Sequence, residues 1–227
     1  MSNPLQVTLA TPVRTLVLIG GGEFSFGDTR VVDEFLITKM PVEKRTIAFL
    51  PTASGSPEYG RHLGAYFREL DPSLELINVP IYRGRDGRRP KNIDQLLNAG
   101  MIYLGGGVTN QLLATIRESP ADMAMREAAA NGAVIAAIGA AASCFGAYAR
   151  DMRGTTPSLP GLGWLANTVI DTGFQVEDDL MLRRLMSLPD TELGLGIPAG
   201  TALAIDADGN TELVGSGSVA AFRRKPA

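Results

Sequence analysis

The stretch GAVIAAIGA (residues 132–140) decides the fold of this chain, and AIGAAASCFG (137–146) carries it past the end of the apolar run. A continuous apolar run that ends in glycine is typical of a strand buried on both faces of a parallel sheet. The next segment, FGAYAR (145–150), predicts a helix. Many hydrolases hold a nucleophile where a strand passes into a helix through small residues, but the middle of this turn is alanine. The chain is therefore either an enzyme whose reacting atom lies elsewhere or a protein that kept the architecture without the chemistry.

Four other segments share the apolar, β-branched character of the first: VRTLVLIG (13–20), RTIAFLPT (45–52), LELINVPIY (74–82) and GMIYLGG (100–106). The segments between them have apolar positions at helical spacing: TRVVDEFLITKM (29–40), PEYGRHLGAYFREL (57–70), TNQLLATIRES (109–119) and ADMAMREAAANG (121–132). Strands that alternate with helices in this way predict an α/β fold, with a doubly wound, mostly parallel sheet covered by helices on both faces.

The pattern changes near the end of the chain. TALAIDADGNTELVGSGSVAAF (201–222) has two β-prone runs around DADGN (206–210), which predicts a C-terminal antiparallel hairpin. A chain of 227 residues without a convincing linker favours one domain. We expect an N-terminal extension over 1–12, a single α/β domain over 13–222 and a tail over 223–227.

Composition excludes several classes of protein. The net charge is −3, and we interpret the basic cluster RGRDGRR (83–89) as a solvated loop rather than a nucleic-acid site. The single cysteine, Cys144, cannot form an internal disulfide. No apolar run approaches the roughly 20 residues that a membrane span needs, and MSNPLQVTLATP (1–12) lacks a basic leader. We therefore expect a cytoplasmic protein that binds neither nucleic acid nor membrane.

Ligands of such sheets bind beyond the carboxyl ends of the strands, so the loops there are the candidate site. GGGEFSFGD (20–28) is a weak dinucleotide signal, and we favour a tight turn with no cofactor and no metal. Thr52 and Ser54 of PTASG (51–55) either face a ligand or cap the next helix, and capping is favoured. GGGVTNQLL (105–113) presents backbone amides, with Gln111 in the first helical turn.

The order and spacing of these loops resemble the serine peptidases that include cyanophycinase and the aspartyl dipeptidase called dipeptidase E. The resemblance covers nearly the whole chain, through LVLIGGGE (16–23), IAFLPTASG (47–55), IYLGGGVTNQLL (102–113), VIDTGF (169–174), GLGIPAGTALAID (194–206) and VGSGSV (214–219). It implies the fold of class I glutamine amidotransferases, a flavodoxin-like three-layer sandwich, and a nucleophile elbow of the form Gly-x-Ser-Ala-Gly after the Gln111 loop.

Alignment of Gly139 with the first glycine of that elbow puts Ala141 at the nucleophile, with Ala142 and Ser143 after it. The resemblance then implies an oxyanion hole made by the loop of Gly105, Gly106 and Gly107 together with the amide of Ala142. The predicted nucleophile position therefore holds only a methyl group.

A second landmark of the family is a strand end of the form Asp-x-His-Phe, whose histidine is the base. Here Asp171 and Phe174 match, but Gly173 stands in place of the histidine. The one histidine of the chain, His62, falls in the predicted helix 57–70 and is assigned to the surface or to helix packing. The family's arginines after the histidine are replaced by QVEDDL (175–180), and its acidic residue before the Thr-Ala strand by Ala199 and Gly200.

These departures favour a member of the family that has lost catalysis. Such a protein either keeps a pocket for an acidic amino acid or a short Asp-containing peptide, or serves as a scaffold, and a homodimer fits the family. The pocket would be lined by residues named above, Gly105, Gly106, Gly107, Gln111, Ala142, Ser143 and Asp171. The alternative is an active serine-type or cysteine-type peptidase of Asp-containing peptides that uses Ser143 or Cys144. A cysteine near a helix N-terminus can have a lowered pKa, although we expect Cys144 to be a small buried side chain.

Overall fold

The computed structural model describes residues 5–154 and 156–224. Its strands are β1 (Thr15–Ile19), β2 (Thr46–Leu50), β3 (Glu75–Asn78), β4 (Met101–Leu104), β5 (Val134–Ile138), β6 (Tyr148–Arg150), β7 (Ser158–Pro160), β8 (Thr168–Thr172), β9 (Leu193–Ile197), β10 (Thr201–Asp206), β11 (Thr211–Gly215) and β12 (Ala220–Arg223). Its α-helices are α1 (Arg30–Lys39), α2 (Pro57–Leu70), α3 (Pro90–Leu97), α4 (Thr109–Ile116), α5 (Pro120–Ala130), α6 (Ala140–Ser143) and α7 (Leu180–Met186).

The main sheet has seven strands in the order β11-β10-β1-β5-β4-β2-β3. The five strands from β1 to β3 in that order are parallel, and β10 and β11 complete the sheet antiparallel to β1 and to each other. The predicted α/β class and mostly parallel sheet are confirmed. The DADGN segment (206–210) makes the expected turn between β10 and β11, where the Asp206 side chain accepts hydrogen bonds from the backbone of Asp208 and Asn210.

Alternate residues of each central strand enter two cores, one on each face of the sheet. Leu16 and Leu18 of β1 pack in the core covered by α3, α4 and α5, whereas Val17 and Ile19 pack in the core covered by α1 and α2. Strands buried on both faces explain the continuous apolar runs, because no position of such a strand faces water. The layered arrangement leaves the carboxyl ends of the parallel strands as the open edge where loops converge.

The structure corrects two sequence predictions. FGAYAR (145–150) is not a helix, because Gly146 lies against the carbonyl of Thr168 and residues 148–150 pair as β6 with β7. The run 201–222 is not one hairpin, since β12 leaves it and pairs with β9 in a second, three-stranded sheet with β8. Helices α3 and α7 were missed. The proline at the first position of α3 is the signal that marks its start.

The predicted extension 1–12 and tail 223–227 lie partly outside the described residues, and the domain limits stay a prediction. Residues 5–12 pack on the rest of the chain: Val7 is buried, and its N–H donates to the carbonyl of Gly209 at 2.9 Å. In the described part of the chain, no helix combines the length and apolarity required to traverse a lipid bilayer. The cytoplasmic location also stays a prediction.

A buried carboxyl group links α1 to α2 and gives the fold a pH dependence. Asp33 is fully buried; its Oδ2 accepts from the hydroxyls of Thr29 and Tyr66, at 2.7 and 3.0 Å, while its Oδ1 has no partner among the described residues. Desolvation is the main cause that raises the pKa of Asp33 from 3.8 to about 6, and the two hydroxyls oppose it. The folded state therefore favours the protonated acid.

We expect Asp33 to lower the free energy of unfolding as pH rises. A raised pKa stabilises the fold at pH below 3.8, and this stabilisation is lost as pH rises through about 6, a difference of about 3 kcal/mol. Asp33→Asn should remove this slope. Between pH 4 and 7.5 the free energy of unfolding of the variant, relative to that of the wild type, should therefore rise by more than ~1 kcal/mol. Urea unfolding at both pH values measures it. The exposed Glu43→Gln is the control, and equal pH profiles of wild type and Asp33→Asn would contradict the expectation.

Candidate functional site

The turn after β5 is a strained strand-to-helix elbow centred on Gly139. Gly139 follows the last residue of the strand and precedes α6, with φ 57° and ψ −128°. Few residues other than glycine adopt this backbone conformation without cost, and it is found at catalytic elbows. A Cβ built on Gly139 would meet no described atom within 4 Å beyond its chain neighbours. The tip of the elbow is thus open space into which a side chain could project.

The position predicted for the nucleophile, Ala141, does not lie at this tip. Ala141 and Ala142 are both fully buried in the core beneath α3, α4 and α5. The sequence assignment is therefore corrected by two residues, and the position at the tip is Gly139. The amide that follows the tip is that of Ala140, not of Ala142. As the first residue of its helix, Ala140 leaves its N–H without an intrahelical partner.

A cavity of about 280 Å³ lies beside the tip, and we call it the elbow cavity. Gly139 and Gly173 both line it, although they come from different sheets. Gly173 follows β8 with φ 65°, its N–H donates to the carbonyl of Gly20 at 2.7 Å, and a Cβ built on it would also be free of described atoms within 4 Å. The remaining lining is Gly20, Gly107, Thr109, Ala140, Ser143, Arg150, Met152, Ile170, Asp171 and Thr172.

Opposite charges lie in the elbow cavity. Burial raises the pKa of Asp171, whereas the nearby Arg150 guanidinium opposes the rise. Sequence analysis did not identify Arg150. It reaches the cavity because hydrogen bonds join the end of β6 to the start of α4. These bonds come from Thr109 Oγ1, which donates to the Arg150 carbonyl at 2.6 Å, and Asn110 Nδ2, which donates to Asp151 Oδ1 at 2.7 Å.

A second cavity of about 370 Å³, the loop cavity, lies on the other side of the tip and shares Gly107, Gly139 and Ala140 with the elbow cavity. The glycine loop lines it through Gly105, Gly106 and Gly107. The N–H of Gly105 already donates to the carbonyl of Leu50 at 3.1 Å, so this amide is not available to a ligand. Within the glycine loop, the amides of Gly106 and Gly107 stay candidates for an oxyanion hole, together with the amide of Ala140 after the tip.

Gln111 and Thr52 have structural contacts. Gln111 Nε2 donates to the carbonyl of Tyr82 at 2.8 Å, and its side chain lies outside the described lining of both cavities. Thr52 is buried and donates to the carbonyl of Ile81. Ser54 lines the loop cavity, and the cap position of α2 is taken by Ser56, so the favoured capping role of Thr52 and Ser54 is wrong.

Neither residue of the alternative hydrolase is arranged as an activated nucleophile. Cys144 is fully buried, and burial raises the pKa of its thiol, so the reactive thiolate is suppressed. Ser143 lines the elbow cavity, but its hydroxyl donates to the carbonyl of Ala140 at 2.9 Å. His62 is exposed on α2 and lines neither cavity. Within residues 5–154 and 156–224, no three His, Cys, Asp or Glu side chains are grouped so as to hold a metal ion.

Comparison with known proteins agrees with this architecture. The sequence profile of Peptidase family S51 matches residues 16–213. The uncharacterized peptidase YgaJ of Bacillus subtilis (strain 168) is 35% identical over 159 residues, which cover 67% of this chain and 66% of YgaJ. The cyanophycinase of Nostoc sp. (strain PCC 7120) is 23% identical over 229 residues, 95% of this chain and 76% of that protein.

The chain thus spans about two thirds of the length of YgaJ and about three quarters of that of the cyanophycinase. The crystal structure of a peptidase from an acI-B1 Actinobacterium superposes with a TM-score of 0.72 at 21% identity, covering 96% of this chain and 97% of that one. This likeness shows the shared fold. The extent of the profile match, which runs from β1 to β11 and includes the elbow, shows that the chain belongs to peptidase family S51.

Proposed function

We propose that this protein is a non-catalytic member of family S51 whose elbow cavity binds a carboxylate-bearing ligand, an acidic amino acid or a short Asp-containing peptide. The observation that carries the proposal is the pair of glycines, Gly139 and Gly173, that line one cavity with open space at both Cβ positions. By the geometry of the elbow, the family's nucleophile would stand at Gly139 rather than at Ala141, and by the family resemblance its base would stand at Gly173.

Loss of both groups removes the chemistry. A serine hydroxyl attacks a peptide only when a base takes its proton, and loss of either partner costs about as much as loss of the whole unit. What remains after such a loss is a residual acceleration of ~10³–10⁴ over water from the oxyanion hole and from binding. The sequence has one histidine, His62, and its place on the exposed face of α2 offers no base to the elbow.

The groups that remain suit an anion. The Arg150 guanidinium provides positive charge to the elbow cavity, and Ala140, whose N–H has no intrahelical partner, also lines it. QVEDDL (175–180) lacks the arginines that the family resemblance implies, and Arg150, at the end of β6, is the basic side chain in the described lining of the elbow cavity. The same carboxylate chemistry is present in aspartate and in the terminus of any peptide.

We expect titration calorimetry with Asp-Ala and β-aspartyl-Arg dipeptides to show binding by the wild type. Arg150→Gln should weaken it at least tenfold, because a hydrogen bond to a charged group contributes roughly 1.5–3 kcal/mol. Arg153→Gln, exposed in the turn that follows β6 and outside the described lining of the cavity, is the matched control and should stay within about twofold of the wild type. No binding across the panel would reject the ligand and favour a scaffold that uses only outer surfaces.

The alternative function is a hydrolase that uses Ser143, and one observation favours it. Ser143 and Asp171 line the same cavity, and the raised pKa of Asp171 makes its carboxylate a better base than an ordinary aspartate. The bond from the Ser143 hydroxyl to the Ala140 carbonyl opposes this function because it directs the proton toward the backbone.

A further inference from the structure

A third and larger cavity, about 780 Å³, lies outside the proposed function. It is an open groove between the segment that follows β1 and the outer face of α2. We call it the aromatic groove and define it by six of its lining residues: Glu23, Phe24, Phe26, Tyr59, Tyr66 and Glu69. It shares Glu23 and Tyr59 with the loop cavity, so the two cavities meet.

The rings of the aromatic groove are fixed by mutual packing. Phe24 meets Tyr59 edge to face with ring centroids 5.3 Å apart, and it meets Tyr66 at 5.2 Å. The hydroxyl of Tyr66 donates to the buried Asp33, which holds the ring in place. Phe26, by contrast, is 85% exposed at the rim. Phe26 thus adds exposed aromatic surface beside the half-buried rings of the groove.

The charge balance of the aromatic groove is negative. The carboxylates of Glu23 and Glu69 line it, and the structure records no hydrogen-bond or ion-pair partner for either side chain among the described residues. The basic side chains in the described lining are Arg30, which is already paired with Glu34 at 2.9 Å, and His62. Burial first, and then the charge of Glu23, raises the pKa of the Tyr59 phenol, which therefore adds no charge to the groove. Two unpaired carboxylates thus stand beside exposed aromatic surface.

We propose that the aromatic groove binds a basic peptide segment through an arginine or lysine side chain. The cation would stack on the rings of Phe24, Phe26 or Tyr59 while Glu23 and Glu69 neutralise its charge. Cations are attracted to the faces of aromatic rings, and a planar guanidinium stacks on them better than an ammonium does. Complementary charge then selects cationic over anionic partners. This site does not rest on the proposed function, because it requires no free carboxylate in the ligand.

The test uses the full chain and capped peptides, which carry no terminal charge. By calorimetry, Ac-Gly-Arg-Arg-Gly-NH2 should bind at least tenfold more tightly than Ac-Gly-Gln-Gln-Gly-NH2, with the lysine peptide between them and Ac-Gly-Glu-Glu-Gly-NH2 not bound. The double variant Glu23→Gln, Glu69→Gln should weaken binding of the arginine peptide at least tenfold, and Phe26→Ala at least threefold. Raised salt should weaken the wild-type interaction as well.

Glu177→Gln is the control, because it removes an exposed carboxylate, like that of Glu69, outside the described lining of the groove. It should leave affinity within twofold of the wild type. Thermal unfolding checks that each variant is folded, and Phe26→Ala, at an exposed position, keeps the test valid if the double variant unfolds. The proposal is overturned if the arginine peptide does not bind, if the glutamate peptide binds as well, or if affinity is unchanged in folded Glu23→Gln, Glu69→Gln. Failure of Asp-Ala to bind would leave these results unaffected, so the two proposals fail separately.

Discussion

The double variant Gly139→Ser, Gly173→His should react with a fluorophosphonate at least ~100-fold faster than the wild type, because a positioned base contributes typically 10²–10⁴-fold. Both new side chains would enter the same cavity, and each has open space at Cβ. A serine at φ 57° carries strain of about 1–3 kcal/mol, which the elbow accepts because the surrounding strands fix its backbone. Mass spectrometry of the labelled protein measures the rate.

The matched control is Ala141→Ser, Gly173→His, which follows the sequence alignment rather than the geometry. Ala141 is fully buried, so this variant should stay unlabelled. Labelling of the control but not of Gly139→Ser, Gly173→His would contradict the position of the tip. Labelling of the wild type that Ser143→Ala abolishes would instead support the alternative hydrolase. Turnover of Asp dipeptides by Gly139→Ser, Gly173→His should stay low, since QVEDDL (175–180) lacks the arginines that the family resemblance implies.

Gly107→Ala should lower the free energy of unfolding by at least ~3 kcal/mol, through overlap and backbone strain together. A Cβ on Gly107 would overlap the carbonyl of Ala53 and approach the N of Ser54 to 2.5 Å, and its φ of 148° disfavours an L side chain. Neither obstacle is a flexible side chain, so the loop must move. Urea unfolding followed by circular dichroism measures the loss.

Two alanine variants separate the causes. Gly84 has no described atom within 4 Å of its Cβ position and no positive φ, so Gly84→Ala should change stability by less than ~0.5 kcal/mol. Gly139→Ala meets open space at a positive φ and should cost about 1–2 kcal/mol, which isolates strain from overlap. A loss below ~1 kcal/mol for Gly107→Ala would contradict the close approach of the two loops.

Hydrophobic periodicity predicted the main sheet well because its strands are buried on both faces. After the first residue of β1 and β2, which is a half-buried threonine, every position of β1, β2, β4 and β5 is buried. The same criterion failed at FGAYAR (145–150), where the backbone contact of Gly146 with Thr168, and not amphipathicity, sets the structure. Such contacts join segments far apart in sequence, so local pattern does not contain them.

The site was predicted in outline but not in register. Gly173, Asp171 and Gly107 line one cavity, although β8 and β4 belong to different sheets. The elbow was shifted by two residues because residues 140–142 are all alanine and give an alignment no landmark. Backbone geometry supplies the missing landmark, since Gly139 is the one residue of the segment 137–146 with a positive φ. Arg150 was missed because its place depends on hydrogen bonds from α4.

The proposed function has a consequence for how the occupancy of the elbow cavity depends on the concentration of its ligand. An active peptidase destroys what it binds, so its occupancy reflects a balance between supply and turnover. Under the proposed function, a cavity lined by Gly139 and Gly173 releases its ligand intact, and its occupancy follows the ambient level at equilibrium. The function that we propose is therefore that of a receptor built on a peptidase fold.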